Sequence, residues 1–151
     1  MPRTGTIDYV ALHLDGAVVE LGWKPRKPPR ERDRPVTWLP VHGRVECPQG
    51  SWSFRDESLL YEEAIRLADW LSTLDVSAPA SLKFVEPCLA FAAAPIDHVD
   101  CVQLSVTFRG EASPPWLHGH HEVWESGFTI AGRIGTKSRQ SVAASIRRLL
   151  D

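Results

Sequence analysis

Apolar residues in this chain follow two rhythms, and the changes between them mark the elements. Tyr9–Leu14 and Ala17–Leu21 alternate around Asp15-Gly16, a dipeptide suited to a two-residue hairpin turn. Such a turn pairs Leu14 with Ala17, Leu12 with Val19 and Val10 with Leu21, placing all six on one face. Leu39, Val41, Val45 and Cys47 alternate next. Pro40 lacks a ladder donor, so that strand is expected at a sheet edge or bulged there. Pro48-Gln49-Gly50 turns into a short strand, Ser51–Phe54, with Trp52 and Phe54 on one side. The rhythm then becomes helical. Leu60, Ala64, Leu67, Leu71 and Leu74 recur at steps of four and three, predicting a helix over about 59–74. Asp56 or Ser58 is its expected cap, and Glu62 and Arg66 its expected outer pair. Ser81–Val85 and Cys88–Ala92 return to strands. Val102, Leu104, Val106 and Phe108 alternate strictly with Gln103, Ser105, Thr107 and Arg109, as in a half-buried antiparallel strand. Trp124, Phe128 and Ile130 mark a last long strand, and Gly132 and Gly135 fall in the turn after it. Val142, Ile146 and Leu149 then stripe a second helix over about 138–150.

Runs of strands closed by a helix, twice over, predict an α+β fold. Its antiparallel β-sheet is expected to hold about 6–8 strands, in one layer or two packed layers, with two main helices. No internal repeat is visible. Residues 1–151 are read as a single domain, a length of about one domain by the usual prior. Residues 23–35 hold four prolines, six basic residues and two acids, and are read as a Pro/Arg-rich surface loop. That loop is a solvated connector or a partner-binding arm.

Composition narrows the function. Net charge is −2 and the pI about 6.3, which argues against a wholesale electrostatic nucleic-acid binder, and no direct nucleic-acid partner is expected. No apolar run suits a membrane span, and Met1–Thr6 lead into no apolar signal core; the chain is expected in the cytoplasm. Cys47, Cys88 and Cys101 form no Cys-x-x-Cys and are read as reduced thiols.

The residues offer little chemistry. Elbow, phosphate-loop, dinucleotide and His-Glu-x-x-His motifs are all missing. On a strand, His118, His120 and Glu122 would share a face and could converge on a metal, the basis of a small metal-dependent hydrolase; in a loop they are surface side chains or a pH-sensitive contact. Glu86 and Glu111 could serve acid–base chemistry only if the fold brought them together. From Asp56 to Asp75 there are six acids and one base, read either as capping and solubility of a helix or as an acidic binding face that includes Glu62, Ile65 and Asp69. Of six tryptophans, Trp52 and Trp70 suit the core. Trp23 and Trp116 sit beside prolines, and Trp116 is a candidate interface anchor.

An ordered set of segments carries a resemblance: Trp38-Leu39; Gly50–Phe54; Leu59–Glu63 through Ala68–Leu71; Phe84–Phe91, containing Glu86-Pro87; and Val106–Trp116, containing Gly110-Glu111-Ala112-Ser113-Pro114-Pro115. Over roughly residues 36–150 this resembles the WapI family of bacterial immunity proteins. Tyr61 stands where that family often has a capping Thr, and Cys88 where it often has Asn. The resemblance implies an antidote that binds the C-terminal domain of a wall-associated, contact-dependent toxin, an RNA-cleaving nuclease in the member that names the family. It implies no catalytic residue and no cofactor. The other readings are the metal-dependent hydrolase and a solitary regulatory or scaffold domain acting through the 23–35 arm.

Overall fold

Two antiparallel meanders, each running straight into a helix, build the chain. The structure is a computed structural model that describes residues 7–23, 38–97 and 100–150. β1 (Asp8–Leu14), β2 (Ala17–Trp23), β3 (Trp38–Cys47) and β4 (Gly50–Leu60) form one sheet in the order β1-β2-β3-β4 and lead into α1 (Tyr61–Thr73). β5 (Ala80–Lys83), β6 (Leu89–Pro95), β7 (Cys101–Phe108) and β8 (Phe128–Gly135) form a second sheet in the order β5-β6-β7-β8 and lead into α2 (Thr136–Leu150). The element order thus repeats although the sequence shows no repeat.

The first hairpin has the predicted register: Leu14 opposes Ala17, Leu12 opposes Val19 and Val10 opposes Leu21, with positive φ at Asp15 and Gly16. β3 is an inner strand, and the bulge alternative holds: its register with β4 shifts between Leu39 and Val41, at Pro40. β2 pairs with β3 only over His42–Glu46, so the missing N–H of Pro40 interrupts no rung there. Trp23, expected in the loop, instead ends β2 opposite Asp8 and is buried. The rest of that loop lies outside the described residues.

The first helix starts later than its apolar spacing suggests. Leu59 and Leu60 still pair with Leu39 and Trp38, so β4 runs on to the helix. The expected caps are spent on each other, Ser58 Oγ donating to Asp56 Oδ2 at 3.1 Å. The helix is capped from within: the buried Glu63 accepts the Leu60 N–H on Oε1 (3.0 Å) and the Val85 N–H on Oε2 (2.8 Å). One carboxylate therefore ties the start of α1 to the chain after β5. Glu63→Gln puts an NH₂ against one of these donors and is expected to cost about 2 kcal/mol, read by urea unfolding. The Glu62–Arg66 pair is not made; Arg66 Nη2 donates to Lys83 O.

The helices and both inner sheet faces share one core. Ala64, Leu67, Ala68 and Leu71 of α1 and Val142, Ala143 and Ile146 of α2 are buried. So are Val102, Leu104, Val106 and Phe108, the predicted alternation of β7. Phe54 of β4 meets Phe108 of β7 with ring centroids 6.0 Å apart. The buried Arg139 on α2 donates from Nη1 to Leu71 O at 2.7 Å, satisfying a carbonyl in the last turn of α1, which has no basic residue of its own. Burial holds its pKa below the ordinary arginine value. Gly132 and Gly135, expected in a turn, lie inside β8. Gly132 lets β8 approach the first hairpin: a Cβ there would stand 2.6 Å from the Leu14 carbonyl carbon. Asp15 Oδ2 accepts the Arg133 N–H at 2.9 Å beside it.

The described cysteines are unbridged. Burial, helped by a hydrogen bond to Asp56, pushes the Cys88 thiol up to about 12. Native protein is expected to take up iodoacetamide at Cys47 and Cys101 at pH 8, and at Cys88 only after unfolding, as counted by mass spectrometry. Because the unfolded thiol ionises first, this group leaves stability unchanged below pH 9 and erodes it above, where unfolded chains hold fewer protons.

Candidate docking platform

β7 and β8 pair up to Phe108 and Phe128, and the chain between them, 109–127, is the longest connection within either sheet among the described residues. Connections of this length in compact domains usually serve a function. This one is built rather than slack. It holds 3-10 turns at Gly110–Ala112, Pro115–Leu117 and His121–Val123, the second started by a proline that needs no donor. Ser113 N donates to Gly110 O (3.0 Å), His118 N to Pro115 O (3.1 Å), and Gly127 N to Glu122 O (2.7 Å). Gly110 and Gly127 take positive φ, and a Cβ on Gly110 would stand 2.2 Å from the edge of the Trp124 ring, so that edge lies on the bare glycine.

An aromatic cluster fixes the segment to both sheets. The buried Trp52 of β4 meets Phe108, Trp116 and Phe128 edge to face at 5.3, 5.5 and 5.6 Å, and its Nε1–H donates to Ala112 O at 3.0 Å. Trp116 also meets Phe128, and its far edge rests on Gly50. Above this support two indoles reach solvent: Trp116 is 40% exposed and Trp124 53%. Large exposed aromatics on a held backbone suit a protein interface, because little side-chain freedom is lost when a partner covers them. Trp124 was expected to open the last strand, yet β8 begins at Phe128 and Trp124 follows the third 3-10 turn. The only sequence signal for its exposure is the Glu125-Ser126-Gly127 break behind it.

The histidines lie on the same segment without converging. His118 Nε2 is 3.2 Å from Ser113 O, and His121 Nε2 is 3.4 Å from Glu122 Oε1. The backbone turns at each step instead of alternating, so His118, His120 and Glu122 do not share a strand face. Among the described residues no group of three or more His, Cys, Asp or Glu side chains could hold a metal ion.

The helical candidates stand elsewhere. Glu62, Ile65 and Asp69 are exposed on α1, with Ile65 at 37%. Asp69 Oδ1 is bridged by Arg147 of α2 at 2.6 Å, which offsets its charge. Trp116 leans on the first residue of β4, whereas α1 follows the last. Along an eleven-residue strand these ends are about 30 Å apart, so the structure does not bring Trp116 and the helical set together.

Charge is unevenly distributed. The described residues hold ten Lys and Arg against sixteen Asp and Glu, whereas the 24–37 segment is rich in bases. Near neutrality of the whole chain therefore conceals an acidic body. On the 109–127 segment Glu111, Glu122 and Glu125 pair with no Lys or Arg side chain among the described residues. Arg109 Nε is spent on the Glu125 carbonyl at 3.1 Å.

Among the described residues no helix is long and apolar enough to cross a membrane. The profile of the immunity protein WapI-like family matches residues 12–138, which include all strands but the first half of β1 and the whole 109–127 segment. The comparison with curated proteins finds no match.

Proposed function

The chain belongs to the immunity protein WapI-like family, and on that premise we propose that it binds a cognate bacterial toxin domain and neutralises it by covering it, one molecule to one, in the cytoplasm. The proposed toxin is the C-terminal domain of a wall-associated protein of contact-dependent inhibition, and a nuclease. The antidote works as one domain, with no cofactor and no turnover. The observation that carries the reading is the pair of exposed indoles, Trp116 and Trp124, on a segment fixed by hydrogen bonds and aromatic packing. The excess of acids over bases in the described residues supports a cationic partner, since an enzyme that acts on a polyanion must present a cationic cleft.

Titrating a toxin domain of the proposed class with this protein tests the proposal. Occlusion predicts that toxin activity falls linearly to zero at one equivalent and that the two proteins co-elute. Inactivation by a small fraction of an equivalent would mean turnover and would overturn it. The same titration reads the second surface, favoured by the exposure of Ile65 beside Glu62. Glu62→Lys is expected to change affinity less than about twofold if the platform is the interface, and about tenfold or more if the α1 face is.

A further inference from the structure

Trp124 has surroundings that its neighbour Trp116 lacks. Trp116 is flanked by Trp52, Phe128 and the start of β4, so its environment is aromatic. Trp124 rests its ring edge on Gly110, and its exposure is the larger of the two. Glu111 directly follows the glycine beneath that ring, while Glu122 and Glu125 stand two residues before and one after Trp124 in the chain. Glu111 and Glu125 are exposed, and Arg109, the one Lys or Arg of the 109–127 segment, donates from Nε to the Glu125 carbonyl. An exposed indole on a segment whose three carboxylates pair with no Lys or Arg side chain among the described residues attracts a cation twice over, through the ring quadrupole and through charge. An aliphatic anchor would gain only the area it covers.

We propose that Trp124, with Glu111, Glu122 and Glu125, receives an arginine or lysine side chain of the partner protein, and that this contact selects the partner's cationic face. The inference rests on the docking reading above and names the chemistry of its anchor. A guanidinium suits the site better than an ammonium, because its plane stacks on the indole while its N–H groups reach the carboxylates.

The test needs no partner. In ¹⁵N-labelled full-length protein at pH 7.5, the Trp124 indole N–H signal is followed while N-acetyl-argininamide is added, with N-acetyl-norleucinamide as the uncharged control. The expected result is a Trp124 shift at least fivefold larger with the arginine probe, cut at least threefold in the Glu111→Gln/Glu122→Gln/Glu125→Gln variant. Equal shifts with the two probes, or a shift that the triple variant leaves intact, would overturn the inference. Against the toxin domain, the triple variant is expected to weaken binding about tenfold and to flatten its salt dependence. Failure of the wild-type protein to bind that domain would strike the docking reading while leaving the small-probe result standing.

Discussion

Replacing Trp116 and Trp124 together with alanine should raise the dissociation constant for the cognate toxin domain about a thousandfold and leave the fold in place. A tryptophan at the centre of an interface typically loses roughly 2 kcal/mol or more on truncation, and two such losses amount to about three decades in affinity. The fold should tolerate the change unevenly. Trp124 rests on Gly110 and is more than half exposed, so removing it uncovers little buried surface. Trp116 packs edge to face on Trp52 and Phe128, and its loss should cost about 1 kcal/mol through that cluster. Calorimetric titration measures the affinity, and thermal melting of the free variant separates it from stability. A change below fivefold in a variant that melts within a few degrees of the parent would remove the platform from the interface. The single variants rank the indoles: Trp124→Ala should lose more salt-dependent affinity, Trp116→Ala more salt-independent affinity, since Glu122 and Glu125 stand two residues before and one after Trp124 whereas Trp116 is set among aromatic rings.

Where two neighbouring runs settle each other, the sequence was legible. The Asp15-Gly16 turn and the alternation on either side admit one register, and the hairpin has it. The alternation over β7 is likewise a local property, and its buried residues are those predicted. Several misreadings share one cause: partners distant in sequence. Leu59 and Leu60 carry helical spacing, yet strand pairing to Leu39 and Trp38 keeps them extended. Trp23 looks like a loop residue beside Pro25 until Asp8 pairs with it and buries it. The acidity of α1 looks like a free face until Arg147, 78 residues along the chain, bridges Asp69, and Glu63 turns inward to hold Val85. The platform was half legible. Trp116 stood out as an indole among prolines, but the Trp124 ring rests on Gly110, a contact that no spacing rule encodes.

Gly132→Val should damage the fold severely. Gly132 pairs with Leu104 inside β8, where glycine has no intrinsic advantage, so its small size is the property in use. A Cβ there would meet the Leu14 carbonyl carbon at 2.6 Å, the Leu14 Cβ at 2.8 Å and the Asp15 nitrogen at 2.9 Å. Two of the three are backbone atoms of a hairpin locked by its own register, so neither side can yield by a rotamer change. The wedge would part the β1–β2 turn from β8 and with it the Asp15–Arg133 hydrogen bond that ties one sheet to the other. Gly132→Ala is expected to cost about 3 kcal/mol, the upper end for overpacking, and to lower the melting temperature by roughly 6–12 °C; Gly132→Val should cost more. Gly16→Ala supplies the control, since it strains the same turn by its positive φ but meets no atom within 4 Å, and should cost about 1 kcal/mol. If the two alanine variants melt together, the junction between the sheets does not rest on Gly132. If Gly132→Ala alone collapses while Trp124→Ala melts like the parent, the docking platform and the sheet junction are separable, and affinity lost at the first can be read without correction for the second.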